Sequence, residues 1–331
     1  MCNERRLFRV ITSAFAALAA LSAPLLSQTG IDSAFSSSEL TLNTTTGDIL
    51  GTLTVPGGTG PFPLVLIIAG SGPTDRDCNS PIGMQTNAYK MLAEGFAGNG
   101  IATLRFDKRG IAKSGPAMTR ERDLRFQTYV DDVVDWTLFM ESDKRFSSIT
   151  LLGHSEGSLI GILAAPQTHA AKFISVAGVG STADKILQLQ LKGKLPPALA
   201  EESNKILDSL RAGKTVSDVS QGLMSLYRPS VQPYMISWMK FDPAQEIAKL
   251  KIPVQIIQGT TDLQVTVDDA KLLSAAKLDA KVFIVENMNH VLKECDSDVQ
   301  KNVATYRNPD LPLKSGLVEK MVDFVKGGDA R

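Results

Sequence analysis

The sequence has no excess of charge of either sign: 35 Lys and Arg balance 35 Asp and Glu. Past the N-terminal segment it also lacks any basic run, which argues against nucleic acid or an acidic polymer as partner. Cysteine and histidine are scarce, three of each in 331 residues, so an imidazole base can be sought by elimination. After residue 26 no stretch is long and apolar enough to span a bilayer. Apolar residues are not lacking: 43% are hydrophobic, with 26 Gly and 16 Pro, an ordinary globular composition rather than a disordered one. Single cores stop growing near about 250–300 residues, so one large domain with an insertion suits this length as well as two domains.

Arg5, Arg6 and Arg9 precede a nearly uncharged apolar run over 10–26, rich in Ala. Small residues over 19–27, followed by Gln28-Thr29-Gly30, supply a cleavage region. Residues 1–28 are therefore expected to be an export signal, and the mature chain a soluble periplasmic or secreted protein with no stable membrane insertion. An uncleaved anchor is the alternative, but Pro24 and the small residues suit a cleavage region better. Cys2 lies ahead of the apolar run, so it is not the lipid-modified cysteine of a lipoprotein signal. Cleavage leaves Cys78 and Cys295, a pair that invites a disulfide in an oxidising compartment; two unrelated thiols are the other reading.

A Ser-rich stretch over 33–38 reads as a linker, and 39–55 as two short strands joined by Thr46-Gly47-Asp48. The continuous apolar run 64–69 is what a strand buried on both faces requires. Helices then alternate with strands: helix 87–97, strand 101–106, helix 128–140, strand 149–152, helix 156–165, strand 173–177. The alternation resumes with strand 254–258, helix 267–276, strand 282–286 and helix 316–325. This is the pattern of an α/β fold, a mostly parallel central sheet with helices on both faces. Right-handed crossovers put the loops after the strands along one edge, where functional residues are expected. Between 178 and 252 strand patterns give way to helical ones at 185–192, 198–210, 216–227 and 231–239. The organisation expected is a core over 36–177, a helical cap insertion over 178–252 and the rest of the core over 253–331.

The sharpest local signal is Gly153-His154-Ser155-Glu156-Gly157, directly after one expected strand and before a helix. A Ser on such a turn sits in a strained backbone, and glycines two residues away remove side chains that would collide there. Ser155 is thus the candidate nucleophile, and it needs a base. His154 neighbours Ser155 on the turn and should point away from its hydroxyl. His169 precedes a strand and reads as a surface residue. His290 follows the last strand, on the same edge as Ser155, and is the candidate base. Asp262 follows strand 254–258 on that edge and is the candidate partner of the imidazole; Glu286, Asp268 and Asp269 are its rivals. The order Ser, Asp, His is that of a nucleophile-elbow hydrolase. A tetrahedral intermediate needs two N–H donors, assigned to the backbones of Glu156 and of Ser71 in Gly70-Ser71-Gly72-Pro73.

Residues 69–77 (Ala-Gly-Ser-Gly-Pro-Thr-Asp-Arg-Asp), Arg105-Phe106-Asp107-Lys108-Arg109-Gly110 and the Ser155 motif together resemble bacterial serine carboxylesterases of the α/β-hydrolase superfamily. The Asp262 and His290 segments share in the likeness, which spans about 40–325. The resemblance implies hydrolysis of small-molecule esters with short acyl chains, a helical cap over the site, and no metal or other cofactor. A thioesterase or an aminopeptidase with the same triad is the nearest alternative; the latter needs an acid to read a free amine, for which Glu201, Glu202 and Asp208 are available. A non-catalytic binding protein on the same scaffold is the alternative of another class. Asp75, Arg76, Asp77, Asp107, Lys108 and Arg109 read as an ion-pair network fixing the oxyanion loop. Met224, Tyr227, Met235, Trp238 and Met239 are either the lining of an acyl pocket or packing residues. A Cys78–Cys295 bridge would tie the oxyanion loop to the His290 loop.

Overall fold

The computed structural model describes residues 34–327, so the expected export signal over 1–28 lies outside the described residues. The chain begins with β1 (Phe35–Thr44), β2 (Gly47–Pro56) and β3 (Phe62–Ile68), then a two-stranded ribbon of β4 (Asn79–Ser80) and β5 (Met84–Gln85). Next come α1 (Ala88–Gly98), β6 (Ala102–Phe106), α2 (Phe126–Glu141), β7 (Phe146–His154), α3 (Glu156–Ala164) and β8 (Lys172–Val176). Five helices follow before the next strand: α4 (Ala183–Leu191), α5 (Pro197–Arg211), α6 (Met224–Tyr227), α7 (Gln232–Trp238) and α8 (Pro243–Ile247). The chain closes with β9 (Val254–Gly259), α9 (Val267–Ala276), β10 (Lys281–Val285), α10 (Val299–Thr305) and α11 (Leu317–Lys326).

Eight strands form one sheet in the order β1-β2-β6-β3-β7-β8-β9-β10. The pairs β1·β2 and β2·β6 are antiparallel, and every other pair, from β6·β3 to β9·β10, is parallel. Side chains along a strand alternate faces, and both faces here are covered, so the inner strands read as unbroken apolar runs. In β3, Leu64, Leu66 and Ile68 enter one core cluster with α2 and α3, while Val65 and Ile67 enter the other with α1 and α11. Burying each such side chain stabilises by about 1.5–3 kcal/mol, and that burial holds the strand ends in register. The parallel strands therefore end together, and the loops carrying Gly70, Ser155 and Asp262 leave from one edge of the sheet. Among the described residues no helix is long and apolar enough to cross a membrane.

Two local expectations are corrected. The Ser-rich stretch is not a linker from residue 35 onward: Phe35 to Ser38 pair with Pro56 to Leu53, and Ser37 Oγ bonds Thr54 Oγ1 at 2.9 Å. The helix expected over 216–227 reduces to a short turn at Gln221–Leu223 followed by α6. Its first part is irregular because the buried Gln232 amide takes the Val216 backbone, accepting from its N–H and donating to its C=O at 2.7 Å each.

Candidate active site

β7 delivers Ser155 to the turn before α3, where its backbone (φ 56°, ψ −123°) lies outside the regions L residues favour. Such strain costs on the order of 1–3 kcal/mol and is held by the surroundings. The Ser155 N–H donates to the Val176 carbonyl at 3.0 Å. A Cβ on Gly157 would sit 2.3 Å from the Ile68 oxygen, and one on Gly153 2.3 Å from the Gly157 oxygen, so the turn admits only glycine at both places. The Ser155 hydroxyl makes no hydrogen bond to any described residue, a looseness common before substrate closes such a site.

The loop after β9 carries Asp262, whose side chain is 1% exposed. Its Oδ1 accepts the backbone N–H groups of Gln264 (2.8 Å) and Val265 (3.0 Å). Its Oδ2 accepts His290 Nδ1–H at 2.8 Å and the Gln258 amide at 3.3 Å. Burial alone would raise this carboxyl; the His290 ring and the backbone donors outweigh it and hold the pKa below the ordinary value. With Nδ1 donating, Nε2 of His290 is free to accept a proton. Of the rival acids, Asp269 caps α9 through Thr266 and binds the Gly180 N–H, while Asp268 pairs with Lys271 at the surface.

The loop expected to hold the oxyanion follows β3. Its Gly70 packs against the elbow, since a Cβ there would lie 3.1 Å from Ser155 Cβ. Thr74 Oγ1 donates to the Ser71 carbonyl at 3.0 Å. Asp107 Oδ1 accepts the Arg76 N–H at 2.8 Å and its Oδ2 pairs with the Arg76 guanidinium at 2.7 Å; Arg105 pairs with Asp77 at 2.7 Å. Lys108, 2% exposed, donates to the Gly70 carbonyl at 2.5 Å and lies 3.2 Å from Glu156 Oε2. Tyr234 on α7 donates to Glu156 Oε1 at 2.7 Å, so the inserted helices reach the elbow directly.

His154 is not the bystander its position suggests. The Gly70 N–H donates to Tyr89 Oη at 3.2 Å, and this hydroxyl lies 2.8 Å from His154 Nδ1. His154 Nε2 lies 2.8 Å from the His290 carbonyl oxygen, which can only accept. The proton is therefore on Nε2, and Nδ1 accepts from Tyr89. Burial, reinforced by the nearby His290, pushes the His154 pKa down to about 3, so the ring is neutral at ordinary pH. One buried chain thus joins the Gly70 loop, the elbow and the His290 loop. No sequence signal separated this arrangement from a surface-pointing ring, because Tyr89 comes from α1. His169 is exposed, with its ring on Glu141 at 2.9 Å.

Ser155, His290, Gly70, Ser71, Thr74, Cys78, Met84 and Tyr89 line one small cavity of about 70 Å³. A second, of about 420 Å³, adjoins it through the same loop and elbow, lined by Gly72, Pro73, Lys108, Glu156 and Tyr234. A larger one, about 470 Å³, lies around Arg109 and Asp132 and contains neither Ser155 nor His290, so size alone does not mark the site. Met224, Tyr227, Met235, Trp238 and Met239 line neither of the first two; Tyr227, Met235 and Trp238 belong to the core cluster, where Trp238 stacks on Phe126, and Met224 and Met239 pack against that cluster. Cys78 and Cys295 are both buried free thiols, so no bridge ties the loops. The His290 loop is held instead by Asn289, which donates to Asn302 and Thr305 of α10, and by Thr261, which donates to the Cys295 carbonyl.

Comparison with known proteins adds three findings. The family model described as serine aminopeptidase, S33, matches residues 82–296. Esterase EstD of Thermotoga maritima is 28% identical over 266 residues, which cover 78% of this chain and 60% of the relative. The chain thus spans about 60% of the length of the curated relative it matches. Two solved structures share the fold at low identity. The α/β-hydrolase GrgF from Penicillium sp. sh18 has a TM-score of 0.56 at 18% identity, covering 88% of this chain and 98% of that one. Est1E from Butyrivibrio proteoclasticus, solved with ferulic acid, has a TM-score of 0.55 at 16% identity, covering 87% and 96%.

Proposed function

Because this chain belongs to the serine aminopeptidase S33 family and has the α/β-hydrolase fold, we propose that it hydrolyses carboxylic esters with Ser155 as nucleophile, His290 as base and Asp262 as the carboxylate behind it. The observation that carries this reading is the convergence of three distant segments. Asp262, His290 and the strained Ser155 elbow lie on one sheet edge, Asp262 holds His290 at 2.8 Å, and His290 and Ser155 line one cavity. In the reaction Ser155 Oγ attacks the ester carbonyl as His290 Nε2 takes its proton. The imidazolium, steadied by Asp262, then protonates the leaving alcohol, and water hydrolyses the acyl-enzyme by the reverse roles. The N–H groups of Ser71 and Glu156 hold the oxyanion; loss of one such donor typically costs about 3 kcal/mol of transition-state stabilisation.

The small cavity at Ser155, about 70 Å³, holds roughly two water molecules and favours short acyl groups. That the curated relative is an esterase supports ester chemistry. An aminopeptidase must also read a free amine, and the two acids that line the adjoining cavity are already engaged: Glu156 by Tyr234 and Lys108, Glu121 by Arg228 and Ser230. Glu201 and Glu202 on α5 pair with Lys205 and the Ser220 N–H, and with Asp208 they line neither cavity. We place the protein outside the cytoplasm on the strength of its N-terminal residues; N-terminal sequencing of protein from the periplasmic fraction tests that.

Ser155→Ala should lower hydrolysis of p-nitrophenyl acetate by at least about 10⁴-fold without changing the melting temperature. Retained turnover by the folded variant refutes the assignment. The wild type, assayed on ester, thioester and aminoacyl-anilide substrates in parallel, should prefer the ester, and an acetyl or butyryl ester over longer acyl chains.

A further inference from the structure

We propose that Lys108 is a positioning residue that presets the oxyanion hole by holding one peptide plane in orientation. The inference rests on the reading of the Ser71 and Glu156 N–H groups as the oxyanion donors. A trans peptide is planar, with its C=O and N–H on opposite edges. Lys108 Nζ holds the Gly70 oxygen at 2.5 Å, so the N–H on the other edge of that plane, the one belonging to Ser71, is turned away from Lys108. That N–H donates to no described residue, and Gly70 and Ser71 both line the Ser155 cavity. A flipped plane would exchange the donor for a carbonyl oxygen that repels the oxyanion, and would deprive a buried ammonium of a partner.

The same ammonium touches the other half of the hole. Glu156, whose N–H is the second donor, has its carboxylate between Lys108 (3.2 Å) and Tyr234 (2.7 Å), and the side chains of Lys108 and Glu156 are 3% and 4% exposed. Lys108 thereby touches the Gly70 carbonyl, which shares a peptide plane with the Ser71 donor, and the carboxylate of Glu156. Its own position is rigid: the face of Tyr129 lies 5.0 Å away, the Lys108 carbonyl accepts from Ile111, and the preceding Asp107 is pinned by Arg76 and by its N–H on Leu50. Asp107 and Lys108 come from the loop after β6, so this strand, which supplies no member of the triad, takes part through its loop.

Removing Lys108 alone would leave Glu156 buried and unpaired, so the test neutralises both. In Lys108→Met/Glu156→Gln the pair is uncharged and the Gly70 carbonyl loses its donor. Relative to wild type, kcat on p-nitrophenyl acetate should fall about 100-fold with KM changed less than about threefold. The Ki of a trifluoromethyl ketone, which forms a hemiketal oxyanion on Ser155, should rise by the same factor as kcat falls. Lys108→Gln/Glu156→Gln, which restores an N–H donor on a side chain one atom shorter, should recover part of the loss. Were Lys108 merely a counter-charge for Glu156, both neutral pairs would match the wild type, and kcat and Ki within about threefold of it would overturn the proposal. If the methionine variant does not fold, the apolar pair Lys108→Leu/Glu156→Leu replaces it with the same outcomes. Ser155→Ala run alongside separates the two readings. An active Ser155→Ala refutes the triad, whereas an inactive one beside a fully active Lys108 variant refutes only the role of Lys108.

Discussion

Asp262 uses its two oxygens differently, and that makes a conservative substitution at this position severe. Oδ1 accepts two backbone N–H groups, so in Asp262→Asn the amide oxygen must stay there and the NH2 must face His290. An NH2 cannot accept from Nδ1–H. The imidazole would respond by moving its proton to Nε2, the atom proposed to take one from Ser155, and the Gln258 amide would then face a second donor. Asp262→Asn should therefore lower kcat by about 10⁴-fold at neutral pH with little change in KM. Steady-state kinetics on p-nitrophenyl acetate checks this, and a loss under tenfold would show that the carboxylate does not hold the tautomer. The sequence could indicate the residue, from its place after β9, but not this asymmetry, which depends on how residues 262–265 turn.

At the scale of elements, the periodic pattern located what periodicity governs. The inner strands of the main sheet and the helices flanking it, α1, α2, α3, α9 and α11, were legible because each buries a regular stripe or face, whereas at the edges β1 buries only Leu42 and β10 only Val285, and the first residues of β1 read as a linker. What remained illegible is held by side-chain-to-backbone bonds instead. α10 is seven residues long, opens on an Asp298 cap and buries only Asn302 and Thr305, both polar, so no apolar stripe announces it. Yet α10 clamps the two loops that carry Asp262 and His290. Asn302 Nδ2 donates to the Thr261 carbonyl at 2.7 Å beside Asp262, and its Oδ1 accepts from Asn289 at 3.2 Å beside His290. Asn302→Ala leaves a buried carbonyl and a buried amide short of partners and should destabilise by about 1–3 kcal/mol. The same variant should lower kcat more than it raises KM, since substrate does not touch α10. Urea unfolding and steady-state kinetics on one preparation test both, and unchanged stability would show that water replaces the amide.

For the molecule as a whole, two buried ionisable groups on opposite sides of the elbow shape stability against pH with opposite signs. His154 titrates near 3 in the folded chain, against an ordinary value of 6.5, because it is buried and next to His290. Between these values the unfolded chain binds a proton that the folded one refuses, so stability rises with pH across the window and is lost on acidification. Asp132, pushed up to about 6 by burial despite its pairing with Arg109, does the reverse: the folded chain binds the extra proton, so stability falls as pH rises from about 4 to 6. Each effect is read as a difference from the wild type. On acidification from pH 7 to 4, His154→Gln, which has nothing to titrate there, should lose less stability than the wild type, and Asp132→Asn should lose more. Urea unfolding at each pH measures the slopes. Equal slopes in wild type and His154→Gln would mean that the ring is charged in the folded protein, in which case the chain from Gly70 through Tyr89 to the His290 carbonyl could not have the hydrogen-bond directions assigned to it.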